Sequence, residues 1–412
     1  MSTFEVVEIC AGAGGQALGL EKAGFEHALA VELDGNACKT LEANRPNWKV
    51  AQGDVADEDV WRPADHRGVS LLAGGVPCPP FSIAGKQLGA NDERDLFAWA
   101  VEQVAVVQPR AVLLENVRGL SMPRFAGYRQ HVLDRLTQLG YVADWRLLQA
   151  SDYGVPQLRP RFILVALRPE YAPYFHWPEP QDHPPTVGET LVGLMGANGW
   201  SGAAAWAKKA NKIAPTIVGG SKKHGGADLG PTRAKRAWAE IGVDALGVAD
   251  AAPTGDTPSD FRPKLTCEMV ARIQGWSDEY AWQFTGRKTT RYRQIGNAFP
   301  PPVAHAVGAA VMSALKRRGT PREIESSEHD PVYKALRSTS EYLSPERLMK
   351  NAGLQDAAEL ERRISLLSRD FEVEIRTVGT KTGYRLGKFK AFVGQEDHER
   401  HDLFLKYRAR IS

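Results

Sequence analysis

The sequence predicts an α/β protein: a doubly wound, mostly parallel sheet with helices on both faces, joined to a smaller domain and a C-terminal extension. Three observations carry this expectation. Residues 4 to about 167 alternate short β-rich apolar runs with helical segments, the pattern of successive βαβ units. The glycine-rich turn "EICAGAGGQALG" follows the first strand and opens the first helix, where such sheets place a ligand-binding turn. After about residue 172 the alternation breaks, while the chain runs on to 412 residues, enough for two or three domains.

Taken in order, "FEVVEIC" is the first strand and "GQALGLEKAG" a helix ending at Gly24. "HALAVE" and "GNACKTLEANRP" are the second strand and helix, and a third strand ends before "GDV". "SLLAG", "DLFAWAVEQVAVVQ" and "PRAVLLENV" read as strand, helix and strand. "GYRQHVLDRLTQLG" is helical and "RFILVAL" is the last strand. These runs define a first region, 1–171. Over 172–261 proline, glycine, lysine and tryptophan rise and periodicity fades. Residues 262–320 regain helical texture, end in "PPVAHAVGAAVMSALKRRG" and rejoin the first region. Residues 321–412 form the extension, entered through the polar linker "TPREIESSEHD".

Composition is that of a soluble globular protein, 43% hydrophobic and 25% charged. A formal net charge of +3 is too small to indicate a nucleic-acid partner by itself, so clustering of basic residues has to carry that case. The four cysteines, Cys10, Cys38, Cys78 and Cys267, show no C-x-x-C spacing, so neither a zinc site nor a redox dithiol is expected, and the chain reads as reduced and cytoplasmic. The N-terminus lacks the basic flank and long apolar core of a signal peptide, and no apolar run reads as long enough to cross a bilayer; no membrane partner is expected.

Gly12, Gly14 and Gly15 let the backbone approach a ligand at a helix N-terminus. Glu32 ends the second strand, where a carboxylate can accept from both hydroxyls of a ribose. Asp54 in "GDV" is placed to meet an adenine amino group. Gly12-x-Gly14-x-x-Ala17 also fits the loose dinucleotide fingerprint. The loop alone does not separate a nicotinamide dinucleotide from S-adenosylmethionine, or either from a tight turn that binds nothing.

In "GGVPCPPFS" three of the four residues 77–80 are prolines, and they enclose Cys78. Proline fixes φ and donates no backbone hydrogen bond, so this thiol sits in a stiff loop, as suits a nucleophile that must meet its substrate at one angle. Glu115 in "LLENVRG" and Arg159 and Arg161 in "QLRPRF" also lie near strand ends. A doubly wound sheet gathers such ends along one edge, so Cys78, Glu115 and Arg161 are expected around one cleft with the glycine loop. Each taken singly also reads as an inert thiol, an ion-pair residue or a solvated arginine pair.

Together, and in unpermuted order, these motifs resemble the cytosine-C5 DNA methyltransferase family. The resemblance covers residues 4 to about 312 and includes "VELDGNA", "GDV", "GGVPCPPFS", "ENV", "QLRPRF", "RPKLTCEMVARIQGW" and "RYRQIGNAFPPPVAHAVG". It implies a Rossmann-like fold that binds S-adenosylmethionine and methylates C5 of a flipped cytosine in double-stranded DNA. By the resemblance Cys78 is the nucleophile at C6, Glu115 the proton donor to N3, Arg161 the holder of O2, and Arg159 a stabiliser of the loop or of a nearby phosphate. Glu32 is then placed at the ribose, Asp54 at adenine N6 with Val55 beside it, and Gly12, Gly14 and Gly15 at the methionine moiety. Leu96, Pro77 and Asn297 line the same pocket. Two positions depart from the pattern: the family often has Phe where this chain has Cys10, and an aromatic where it has Leu33. Both belong to the expected cofactor set.

The resemblance assigns target recognition to 172–261. Lysines and arginines crowd its middle. Lys222 and Lys223, with Ser82 of the cysteine loop, are expected at DNA phosphates, and Arg233 and Arg236 at guanine edges. A restriction endonuclease is the expected functional partner, without a stable complex. In the extension, "SPERLMKNAG", "DAAELERRISLLSRDF" and "EVEIRTVGTKTGYRLG" read as helix, helix and hairpin, the order of a winged helix; the alternative reading is a plain helical dimerisation extension. The competing function classes are an RNA cytosine-C5 methyltransferase and a DNA-binding regulator acting through this tail.

Overall fold

The computed structural model describes residues 3–77, 96–181, 183–219, 227–324, 329–378 and 381–389. Among these, seven strands form one sheet: β1 (Glu5–Ile9), β2 (Glu26–Glu32), β3 (Val50–Gln52), β4 (Leu71–Gly74), β5 (Ala111–Val117), β6 (Val142–Gln149) and β7 (Pro160–Leu167). Their order is β3-β2-β1-β4-β5-β7-β6. The first five are parallel to their neighbours, and β7 runs antiparallel to both β5 and β6. This is the expected α/β fold with a mostly parallel sheet. The sequence reading passed over β6, which pairs with β7 along its whole length at the sheet edge. Its half-exposed residues alternate poorly, so the period-two signal is weak there.

Helices α1 (Gly15–Lys22), α2 (Gly35–Asn44), α3 (Leu96–Val107) and α4 (Ala126–Gln138) connect the strands. The period of two along β1 sends Val7 and Ile9 into a core with Phe97 and Val101 of α3, and Val6 into a second core with Leu20 of α1. Asp34 caps α2, its carboxylate accepting from the Asn36 amide at 2.8 Å.

Beyond the sheet come α5 (Val187–Gly196), α6 (Ala203–Lys209), α7 (Thr232–Glu240), α8 (Cys267–Ile273), α9 (Lys288–Asn297) and α10 (Pro301–Leu315). Trp200, Trp206, Trp238 and Trp276 centre a separate apolar core shared by α5–α9, while Val303 and Val307 of α10 return to the sheet beside Leu20. One helical stretch, Lys288–Leu315, is long and apolar enough to cross a membrane, unlike the sequence expectation; 67% of its window is buried inside the protein. It is made of α9 and α10, which pack in the cores just described.

The tail holds α11 (Pro331–Arg337), α12 (Pro345–Asn351), α13 (Ala357–Asp370), β8 (Phe371–Val378) and β9 (Lys381–Phe389). Ser344 caps α12 ahead of Pro345, as its sequence indicates. Leu360, Ile364 and Leu367 bury one face of α13. Helix α11 was not anticipated, although Asp330 followed by Pro331 is a helix-start signal. Leu343, between α11 and α12, makes an antiparallel bridge to Tyr384 of β9. The tail does not hang from a free linker. Arg322 donates to the carbonyls of Pro173 and Phe175, and α13 and α11 lie on α4, with His131 stacked on Phe389 at 4.4 Å.

Candidate active site

Strand order reverses between β2-β1 and β4-β5, so the crevice of this sheet opens beyond the carboxyl ends of β1 and β4. A cavity of about 340 Å³ lies there, lined by Glu8, Cys10, Gly12, Gly15 and Gln16 from β1 and α1, and by Glu32, Gly75, Glu115 and Asn297 from the segments around it.

The glycine turn forms its floor. Gly12 has φ 57, and a Cβ built there would meet nothing within 4 Å, so its backbone faces open space. The Gly12 amide donates to Glu32 Oε2 at 2.7 Å, and the Asp34 amide to Glu32 Oε1 at 2.8 Å. The expected ribose carboxylate is therefore held rigidly against the turn, with a second lone pair on each oxygen left for a ligand. Burial pushes its pKa up against the pull of those two amides. Gly14, with φ 91, instead packs under Trp282, whose indole donates to the Ala13 carbonyl at 3.2 Å.

At the other end Glu115 Oε1 lies 2.6 Å from Arg161 Nε, both side chains largely buried. The guanidinium favours the carboxylate, but burial dominates and raises the Glu115 pKa. The Nε–H is not aimed along the contact, so the pairing is Coulombic rather than a directed hydrogen bond. Asn116 donates to the Val76 carbonyl at 2.9 Å and fixes the chain on its way into Pro77. Cys78 and Ser82 lie outside the described residues. The other three thiols are all held protonated by burial: Cys10 and Cys267 are shifted up, and Cys38 is pushed up to about 12.

Several expected residues sit elsewhere. Arg159 is fully buried and does not line the cavity. Its guanidinium donates to the carbonyls of Ile217 at 2.6 Å, Gly296 at 2.7 Å and Ala298 at 3.2 Å. It ties the segment before 220–226 to the turn that carries Asn297, which is a positioning task. Val55 and Leu96 belong to the apolar core with Trp61, and Asp54 Oδ1 accepts the Ala56 amide at 2.9 Å. Leu33 and Pro77 are not among the lining residues either. Lys222 and Lys223 fall outside the described residues. Arg233 and Arg236 lie exposed on α7 at i,i+3 spacing, on one face.

Glu8, Gln16, Thr290 and Arg293 line the cavity without having been singled out from sequence. Glu8 carried a signal, an acid inside an apolar strand; the others acquire their position only through the fold. The lining fits an adenosyl ligand with a charged end. It offers a bare glycine backbone, a fixed carboxylate and buried polar atoms of Glu8 and Gln16 that have no partner among the described residues. Its volume is that of a small-molecule site.

These features, a sheet crevice with a glycine floor and a buried acid at its far end, make a small-molecule site in an α/β fold. The chain belongs to the C-5 cytosine-specific DNA methylase family, whose model matches residues 4–313, and is a DNA methyltransferase. It is 66% identical to the Type II methyltransferase M.NaeI of Lentzea aerocolonigenes over 100% of both chains. It is 51% identical to the Type II methyltransferase M.NgoMIV of Neisseria gonorrhoeae, over 76% of this chain and 99% of that one. A crystal structure of a prophage-encoded E. coli protein shares the fold with a TM-score of 0.53 at 23% identity, over 76% of this chain and 99% of that one.

Proposed function

We propose that this protein is a sequence-specific modification methyltransferase that methylates C5 of a cytosine flipped out of double-stranded DNA, using S-adenosylmethionine and protecting the site from a cognate restriction endonuclease. The observation that carries this reading is the sharing of one cavity by Glu32 with its glycine turn and by Glu115, a buried acid with a raised pKa. The Type II names of the two relatives support the restriction–modification setting.

Cytosine C5 is a poor nucleophile while the ring stays aromatic. Cys78 adds through sulfur to C6, and the displaced electrons are drawn toward N3, where Glu115 Oε2 delivers a proton. This makes C5 enamine-like. Arg161 holds Glu115 Oε1 and faces the base O2. S-adenosylmethionine supplies an electrophilic methyl group, which C5 takes. Loss of the C5 proton to water, with return of the N3 proton to Glu115, then restores the C5–C6 double bond and expels Cys78. General acid help of this type is worth about 10²–10⁴-fold. The stiff proline loop around Cys78, fixed upstream by Asn116, serves the alignment that such an addition demands.

Recognition is assigned to 172–261, with Arg233 and Arg236 toward base edges and Lys222 and Lys223 toward phosphates. The tail is assigned as a winged helix: α11, the Leu343 bridge, α12, α13 and the β8-β9 hairpin follow that order. Expression in a host without cytosine methylation, followed by bisulfite sequencing, tests the whole reading. A recurring methylated motif is expected; soluble protein that leaves no 5-methylcytosine sinks it. DNA carrying 5-fluorocytosine is expected to trap the enzyme through Cys78, and an adduct mapped to Cys10, Cys38 or Cys267 would overturn the assignment of the nucleophile.

A further inference from the structure

Two buried polar side chains in the cavity are left without work by the chemistry above. Glu8 lies in β1, fully buried; its Oε2 meets His27 Nε2 at 3.0 Å, while Oε1 has no partner among the described residues. Gln16 lies in the first turn of α1 and is 3% exposed, yet neither its Oε1 nor its Nε2 has a partner among the described residues. Both line the cavity. A buried amide with no partner destabilises the fold relative to an apolar side chain of the same shape, and nothing in a helix turn requires glutamine. A ligand that satisfies the amide accounts for it.

Position says which part of a ligand that is. A Cβ built on Gly75, just after β4, would lie 3.9 Å from Gln16 Oε1 and 3.4 Å from Glu115 Oε2. Gln16 therefore sits at the Glu115 end of the cavity, where the transferred group must be. The ribose is claimed by Glu32 at the end of β2. The surrounding acids Glu8, Glu32 and Asp34 favour a cationic ligand group near them.

We infer that Gln16, with Glu8, forms a polar subsite that reads the amino-acid end of the methyl donor. Glu8 Oε1 and Gln16 Oε1 accept from its ammonium group, and Gln16 Nε2 donates to its carboxylate. An amide is the side chain that does both at once. This inference rests on the S-adenosylmethionine reading above and adds to it a binding residue outside the glycine turn.

The test is calorimetric titration of the full chain with three compounds: S-adenosylmethionine, S-adenosylhomocysteine, and 5′-methylthioadenosine, which lacks the amino-acid end. Gln16→Met is expected to weaken the first two by about tenfold or more, the scale of lost hydrogen bonds to charged groups, and to leave the third unchanged. Its ligand-free melting temperature is expected to equal or exceed that of the parent, since an unpartnered buried amide has been removed. Should Gln16→Met fail to fold, Gln16→Glu carries the same test, because it loses the donor to the carboxylate and is expected to show the same loss. Unchanged affinity for S-adenosylmethionine, or an equal loss for 5′-methylthioadenosine, overturns the subsite. If the parent protein binds none of the three, the S-adenosylmethionine reading falls first and the subsite falls with it.

Discussion

Glu115 shows how burial sets up chemistry at a single residue. Its ordinary carboxyl pKa is raised because desolvation outweighs the nearby Arg161 and Arg159 charges. A donor to the base must be protonated, so turnover is expected to persist above the ordinary carboxylate range. It should fall as pH rises through the raised value, where the proton is lost. Glu115→Gln is expected to lower the single-turnover rate by about 10²–10⁴-fold and to abolish that alkaline limb; a retained limb would assign it to another group. Arg159 makes the opposite point. Its charge is spread over three backbone carbonyls, so Arg159→Met should cost stability, at about 1–3 kcal/mol for each buried carbonyl left unpaired. Thermal melting and specific DNA affinity should register the loss more than the rate at saturating DNA does. Sequence spacing made the placement of Glu32, Gly12, Asn297 and Glu115 legible, because they sit at strand ends and turns that motifs mark, and all four line the cavity. The resemblance gave Arg161 to the base and Arg159 to the loop or a phosphate, but the carbonyls that Arg159 holds could not be read from spacing. Two positions apart in number, Arg161 lies within β7 and Arg159 just ahead of it, where the end of α9 and the segment ending at Gly219 cover it. Gln16 was unreadable for the same reason: an amide is ordinary on a helix until tertiary packing buries it.

Among the elements, helix α4 holds a surface that its own sequence does not explain. His131 stacks on Phe389, meets Tyr333 at 3.2 Å and has its pKa lowered to about 4 by burial. His329 donates its amide to Gln130, takes Arg129 Nε at 3.2 Å and is likewise lowered to about 4 by burial. Arg337, Arg135 and Arg129 reinforce these shifts, while Glu102 and Asp144 oppose them. Burial therefore favours the neutral form of both rings in the docked tail. For a depressed histidine the docking stability is present above the unfolded value near 6.5 and drains away as pH falls toward 4. Proteolysis at the 321–330 junction is therefore expected to speed up between about pH 6.5 and 4, and His131→Phe should shift that onset to lower pH. Cleavage that stays flat across this window would mean that the tail is held by other contacts. The sequence marked α12, α13 and the hairpin through a cap, an apolar stripe and a glycine-flanked turn. It left the docking invisible, since Gly127 and Leu367, which meet there, carry no signal of each other. The antiparallel insertion of β7 between β5 and β6 was hidden likewise, because strand direction is decided by the partner.

At the scale of the molecule, the tail raises the question of why a methyltransferase carries it. The Neisseria relative is matched over 99% of its length by 76% of this chain, so a protein of that size stands without an extension of these dimensions, and among the described residues those lining the cavity all precede the tail. Yet in this chain Tyr128 is fully buried, and Leu367 and Phe371 cover Gly127. A chain ending at Arg318 would expose that face, so it is expected to melt lower and to aggregate more readily, while the folded fraction still binds cofactor. The DNA role of the tail is separable from this packing. Arg362 and Arg363 both pair with Glu359 on α13, and the Arg362 side chain stays 61% exposed; neither is part of the contact with α4 described above. The full chain carrying Arg362→Glu and Arg363→Glu should keep its melting behaviour within about 1 kcal/mol, as surface changes do. It should keep its single-turnover rate at saturating DNA, but bind DNA more weakly with a shallower salt dependence, because fewer counterions are released. If the dissociation constant and its salt slope both stay at the parent values, this face of α13 does not meet DNA, and the extension serves to cover α4 and hold the catalytic body together.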